Sequence, residues 1–154
     1  MPAPVDLTFL GGLGEIGRNC AALEAHGRIV MLDCGQLFPD DLPGVDAVLP
    51  DFTWLRERAD RIDGCVITHA HEDHIGGLPY LLREMSFPIY GSPFTLGMVR
   101  GKLTRARVPV PELVEPLIRQ IKRGAADPPR RPQLSDPILK LFGRVKWVVP
   151  QNID

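Results

Sequence analysis

The sequence predicts an α/β fold in which the N-terminal strands form one mostly mixed sheet, covered by helices near residues 78–85 and 94–106. Three observations carry this expectation. Short apolar runs bounded by Gly, Pro and Asp recur through the first 70 residues, as half-buried strands do. Two of those runs are joined by the dipeptide His26-Gly27, which reads as a hairpin. Later segments repeat their apolar residues at helical spacing, so the order strand, hairpin, helix, strand, helix points to a layered sheet-and-helix domain.

Residues 5–10 alternate apolar with polar side chains and stop at Gly11-Gly12, so they read as the opening strand. Gly12-Leu13-Gly14-Glu15-Ile16-Gly17 then satisfies G-x-G-x-x-G, the dinucleotide-binding fingerprint when a helix opens there. The runs 19–25 and 28–33 on either side of His26-Gly27 oppose that reading, because a hairpin offers a pyrophosphate no helix N-terminus. His26, at the turn, reads as a solvated loop residue. Asp33 closes the apolar run Ile29-Val30-Met31-Leu32 and on its own is an ordinary strand-end carboxylate.

Residues 36–51, rich in Pro, Gly and Asp, read as a long loop, and Asp51 can cap a short helix through Phe52, Leu55 and Arg58. A strand is expected at 65–68. Leu78, Leu81, Leu82 and Met85 then make an amphipathic helix of at most three turns, and 88–90 a short buried strand. Pro93 suits the first turn of another helix that carries Leu96, Val99, Leu103 and Ala106 on one face.

The 154 residues, 44% hydrophobic and 24% charged, are enough for one domain with a real core. A formal net charge of −1 provides no global field to gather nucleic acid, so any RNA contact must come from a local patch. Cys20, Cys34 and Cys65 are odd in number and sit in apolar stretches, which predicts reduced, buried thiols and a cytoplasmic location. The N-terminus lacks the pattern of a signal peptide, and no apolar run approaches the roughly 20 residues of a membrane span. The expectation is a soluble, unexported protein with no membrane contact.

The chemistry concentrates in Thr68-His69-Ala70-His71-Glu72-Asp73-His74, which holds three of the four histidines. Imidazole nitrogen and carboxylate oxygen suit a borderline divalent cation such as Zn²⁺, and four donors this close suit two ions better than one. If the preceding apolar run is a strand, His69 and His71 leave its end two residues apart and can face one side. Asp73 and His74 then fall where the chain turns into the next helix. Isolated histidines are more often surface residues than ligands, but three within six positions after an apolar strand favour a metal site: His69, His71, Asp73 and His74.

The run HAHEDHIGG resembles the H-x-H-x-D-H motif of the metallo-β-lactamase superfamily. The words around it, GGLGEIGRN at 11–19, LDCG at 32–35, GVDAVLPDFTWL at 44–55 and GGLPYLLRE with PIYGSPFTLGM at 76–98, are similar to ribonuclease J. The resemblance covers about residues 5–106. It implies a partial metallo-β-lactamase αββα sandwich, its N-terminal half, with two Zn²⁺ ions, one served by His69 and His71 and the other by Asp73 and His74. It further implies that Asp33 supports the ligands from behind, and that the glycines of 11–17 turn tightly near the metal cleft. The implied activity is hydrolysis of phosphodiesters in single-stranded RNA during RNA processing and decay. The same motif also serves thioester and lactam hydrolysis, so fold and metal motif alone do not choose the substrate.

The family completes each metal shell with later histidines and a bridging aspartate, and no histidine follows His74. Two readings therefore stand: a ribonuclease J-type hydrolase, truncated and weakly active or completed by another chain, and a non-catalytic metal-binding remnant. A half-sandwich would also leave an apolar sheet face open, which predicts association with a second copy or a ribonuclease partner. Residues 1–107 are expected to form the N-terminal part of the metallo-β-lactamase domain, and 108–154 a Pro-rich, divergent tail. Within that tail, 111–123 can be helical, 127–137 reads as a linker and 145–149 as a strand. Its basic residues Arg119, Lys122, Arg123, Arg130 and Arg131 read as a solvated surface more readily than as an RNA patch.

Overall fold

The structure, a computed structural model, describes residues 4–39 and 43–115. Six strands lie in sequence order in one sheet: β1 (Asp6–Gly11), β2 (Cys20–Ala25), β3 (Arg28–Leu32), β4 (Ile62–Val66), β5 (Ile89–Tyr90) and β6 (Leu113–Val114). The first three pair antiparallel and the last three join in parallel, so the sheet is mixed. Ala25 pairs with Arg28, leaving His26-Gly27 as a two-residue loop. Both loop residues have positive φ, 53° and 72°, the signature of the type I′ turn that matches strand twist.

Parallel strands need crossovers, and the crossovers carry the helices. The connection from β3 to β4 holds α1 (Thr53–Arg56) and a 3-10 turn at Ala59–Arg61. Asp51 Oδ1 accepts the Thr53 N–H at 2.8 Å ahead of α1. Between β4 and β5 lie the one-turn helices α2 (Glu72–Ile75) and α3 (Leu78–Leu81). From β5 to β6 runs α4 (Pro93–Arg105), with Pro93 at its first position and the Ser92 hydroxyl accepting the Thr95 N–H at 3.2 Å.

One cross-sheet row, Ala22, Met31, Cys65, Ile89 and Leu113, faces the helices and packs with Leu78, Leu81, Leu96, Val99 and Leu103 into the core. Burying each of these large side chains stabilises the fold by about 1.5–3 kcal/mol. The neighbouring row, Phe9, Ala21, Leu32, Val66, Tyr90 and Val114, faces the other way and stands outside that core; Phe9 is 51% exposed.

Two expectations need correction. The strand expected at 65–68 is Ile62–Val66, because the parallel register with β3 begins at Ile29↔Ile62 and the chain leaves the sheet before the histidines. The helix expected over 111–123 is a strand at Leu113–Val114. Proline at 109, 111 and 116 biases each preceding residue toward extended backbone, and the open edge of β5 supplies partners: Ile89 N–H donates to Glu112 O at 2.8 Å. The rest of that segment, the linker, the strand expected at 145–149 and the basic cluster lie outside the described residues.

All three cysteines are buried and unpaired. The Cys34 thiol is pushed well above its usual pKa by the adjacent Cys20 side chain and by burial, and Cys65 by burial. We expect no alkylation of Cys34 or Cys65 by N-ethylmaleimide in the native protein and complete reaction in denaturant. Rapid native labelling followed by intact-mass analysis would contradict this packing.

Candidate metal centre

The histidine cluster stands where the carboxyl ends of the parallel strands β3 and β4 release their loops side by side, the place where open α/β sheets hold ligands. Three segments interlock there through backbone hydrogen bonds. Asp33 N–H donates to Val66 O, Cys34 N–H to His74 O and Gly77 N–H to Cys34 O, all at 2.8–2.9 Å. Asn19 N–H adds a bond to Asp73 O at 3.0 Å, and Gly35 N–H one to Asn19 O at 2.9 Å. Packing of loops this close has a steric requirement. A Cβ on Gly35 would lie 1.6 Å from Asp73 O, and one on Gly76 would lie 2.2 Å from Gln36 Cγ.

On this frame the imidazoles converge. The His69 ring centroid is 4.5 Å from that of His71 and 4.0 Å from that of His74. His69 Nε2 and His71 Nδ1 are 3.1 Å apart, and His74 Nε2 is 3.2 Å from Asp73 Oδ2. Burial, then His74 and His71, lowers the His69 pKa, which keeps that ring neutral and its lone pair available near pH 7.

Asp33 is only 6% exposed and holds the cluster from below. Its carboxylate accepts the Thr68 N–H at 2.8 Å, and the Thr68 hydroxyl lies 2.8 Å from Oδ2. His74 Nδ1 also lies 2.8 Å from Oδ2. With Nδ1–H donated to Asp33, the His74 Nε2 lone pair turns toward Asp73. The aspartate reaches this position from a left-handed backbone, φ 57°, which its short polar side chain tolerates.

Sequence reasoning did not single out Asn19, Thr68 or Gly35. Asn19 Nδ2 donates to Asp73 Oδ2 and to Asp73 O, each at 3.1 Å, and lies 3.3 Å from His74 Nε2. Its signal was its place at the end of the glycine-rich word, and that of Thr68 was a hydroxyl set directly before the histidines. The glycine-rich loop opens no helix, so the dinucleotide alternative fails. Gly12, Gly14 and Gly17 all have positive φ, and Glu15 folds back onto Arg18 and the Gly12 N–H. His26 is exposed at its turn, away from the cluster.

The donor set fits zinc in part. Two donors on a tetrahedral zinc at about 2.0–2.1 Å stand a little over 3 Å apart, and both pairs, His69 with His71 and Asp73 with His74, have that separation. Among the described residues, no group of three His, Cys, Asp or Glu side chains is arranged to hold a single ion. The chemistry therefore supports two donor pairs, each short of a full shell.

A model of the metallo-β-lactamase superfamily matches residues 13–149, most of the chain. The chain belongs to the metallo-β-lactamase superfamily. Its mixed sheet with helices on one face is the α/β architecture expected of the N-terminal half of that fold. Ribonuclease J 1 of Streptococcus pyogenes serotype M3 is 48% identical over 103 residues, covering 66% of this chain and 18% of the relative. Ribonuclease J of Mycolicibacterium smegmatis is 47% identical over 121 residues, 77% of this chain and 22% of the relative. The chain thus spans about a fifth of the length of the curated relatives it matches. Human tRNase Z, short form, is similar in structure at 26% identity and a TM-score of 0.47, with 71% of this chain and 44% of that one covered. No helix among the described residues is long and apolar enough to cross a membrane.

Proposed function

We propose that this superfamily member is a ribonuclease J-type, metal-dependent hydrolase of phosphodiester bonds in single-stranded RNA. The observation that carries the reading is the near-half identity to ribonuclease J over a stretch long enough to include the whole histidine cluster. In this reading His69 and His71 hold one divalent ion and Asp73 and His74 a second, zinc being the ion suited to these donors. When bound, such ions polarise a phosphodiester and make water nucleophilic near neutral pH. The chain's own residues orient them. Asp33 fixes the His74 tautomer, Thr68 ties Asp33 to the strand end, and Asn19 steers the Asp73 carboxylate. Free buried thiols are in keeping with a reducing cytoplasm.

Two donors per ion favour a second reading, a metal-binding chain that cleaves RNA weakly or not at all. Metal analysis after dialysis, together with hydrolysis of a 5′-monophosphorylated single-stranded RNA, separates the two for the native chain and His71→Ala. We expect loosely held zinc and slow cleavage that His71→Ala abolishes. Zinc retention and cleavage that are both insensitive to His71→Ala would overturn the metal assignment. Efficient turnover of a thioester or lactam, with RNA untouched, would overturn the RNA assignment.

A further inference from the structure

An open cleft of about 460 Å³ lies beside the histidine cluster, on the α4 side of α2. Helix α2 separates the two sites: Asp73 and His74 turn toward the cluster, while Glu72 turns into the cleft and pairs with Lys102 at 2.5 Å. Arg83, just past α3, and Arg105, on the same face of α4 as Lys102, complete a lining of three cations against one carboxylate. Tyr80, 41% exposed, adds aromatic surface to the wall, with the Arg83 guanidinium 5.7 Å from its ring centre.

Local structure holds this charge only loosely. Lys102 and Arg105 stand in the last turn of α4, where the helix dipole favours cations. The Arg83 guanidinium reaches the C-cap carbonyl of α4, Ala106 O, but only through a long bond of 3.4 Å. The Arg105 side chain makes no ion pair or hydrogen bond with any described residue. Three cations converging from two elements on one concavity repel each other, and a polyanion relieves that repulsion. The net charge of −1 confines nucleic-acid attraction to a local patch, and this cleft is such a patch.

We propose that the cleft is a backbone-binding subsite for the single-stranded RNA substrate: Arg83, Lys102 and Arg105 contact its phosphates and Tyr80 stacks on a base. The proposal rests on the RNA reading above and adds the path of the strand, along α4 and past α2 to the metal centre. Single-stranded RNA fits better than a duplex, because an exposed aromatic among cations can stack only on an unpaired base. Glu72 makes the site selective, since strand phosphate must displace its carboxylate from Lys102.

The test is fluorescence anisotropy of a labelled single-stranded oligoribonucleotide with the full chain across a salt series. The chain is compared with R83Q/R105Q, Tyr80→Leu and, as a control for charge alone, Arg100→Gln, which is two residues and so roughly half a turn from Lys102. Circular dichroism verifies the fold of each variant. We expect R83Q/R105Q to weaken binding by about ten-fold or more and to reduce the slope of log affinity against log salt by about 1.4, the single-strand value for two lost phosphate contacts. Tyr80→Leu should weaken binding with the slope kept, and Arg100→Gln should change neither. RNA binding by the native chain that R83Q/R105Q leaves intact would overturn the cleft while RNA remains the substrate. Absence of RNA binding by the native chain at any salt would overturn both.

Discussion

Replacing Gly35 with alanine is expected to dismantle the histidine cluster, the proposed metal centre, from its floor. The new Cβ would stand 1.6 Å from Asp73 O and 2.2 Å from the adjoining carbonyl carbon, so backbone must move. No flexible side chain is present to yield, which makes this harsher than ordinary core overpacking, and we expect a loss of about 3 kcal/mol or more. The segment that must retreat carries Asp73 and His74 and receives the Asn19 N–H and Cys34 N–H bonds. Denaturant unfolding gives the stability, and zinc titration under native conditions gives the site. A variant as stable as the parent, with unchanged zinc affinity, would show that these loops are not packed as described. Gly14→Ala is the comparison: its Cβ meets no atom within 4 Å, so only its positive φ of 72° opposes the change. We expect roughly 1 kcal/mol there.

The second large effect is expected from Asp33→Ala. Removal of this carboxylate takes the acceptor from the part-buried Thr68 N–H and frees His74 to change tautomer. Because Thr68 is exposed and water can reach its N–H, losing that bond costs about 0.5–1.5 kcal/mol. Loss of the carboxylate behind a ligating histidine weakens metal affinity by about 10–100-fold. Asp33→Asn divides the two contributions, because the amide keeps an acceptor for Thr68 but not the charge that holds the His74 Nδ1 proton. Nitrogen NMR of His74 reads the tautomer directly, without any turnover. If His74 keeps the same protonated nitrogen in Asp33→Ala as in the parent, Asp33 has no orienting role.

Much of the fold was legible because its signals are local. The His26-Gly27 turn declares its hairpin through two residues that accept positive φ, and Pro93 marks the first turn of α4. Leu113–Val114 was misread because its strand state comes from outside the segment: Ile89 and Gly91 of the β5 edge donate to Glu112 and Val114. Periodicity within 111–123 carries no trace of that edge.

The sequence by itself determined which donor groups the proposed site offers. Three imidazoles and a carboxylate lie within six positions, and the family resemblance, not the residue's own setting, pointed to Asp33 as a supporting acid. Tertiary structure alone decided what holds them. Asn19 lies 54 residues from Asp73, Asp33 41 from His74 and Gly35 38 from Asp73, and they meet because β3 and β4 run parallel and release their loops at the same end. The same cause hid the basic cleft, whose Glu72 and Lys102 are 30 residues apart and become neighbours only when α4 packs beside α3. Residue type and spacing fix what a side chain can bind. Its partners depend on the sheet register, which is set by hydrogen bonds and core packing between segments distant in the chain.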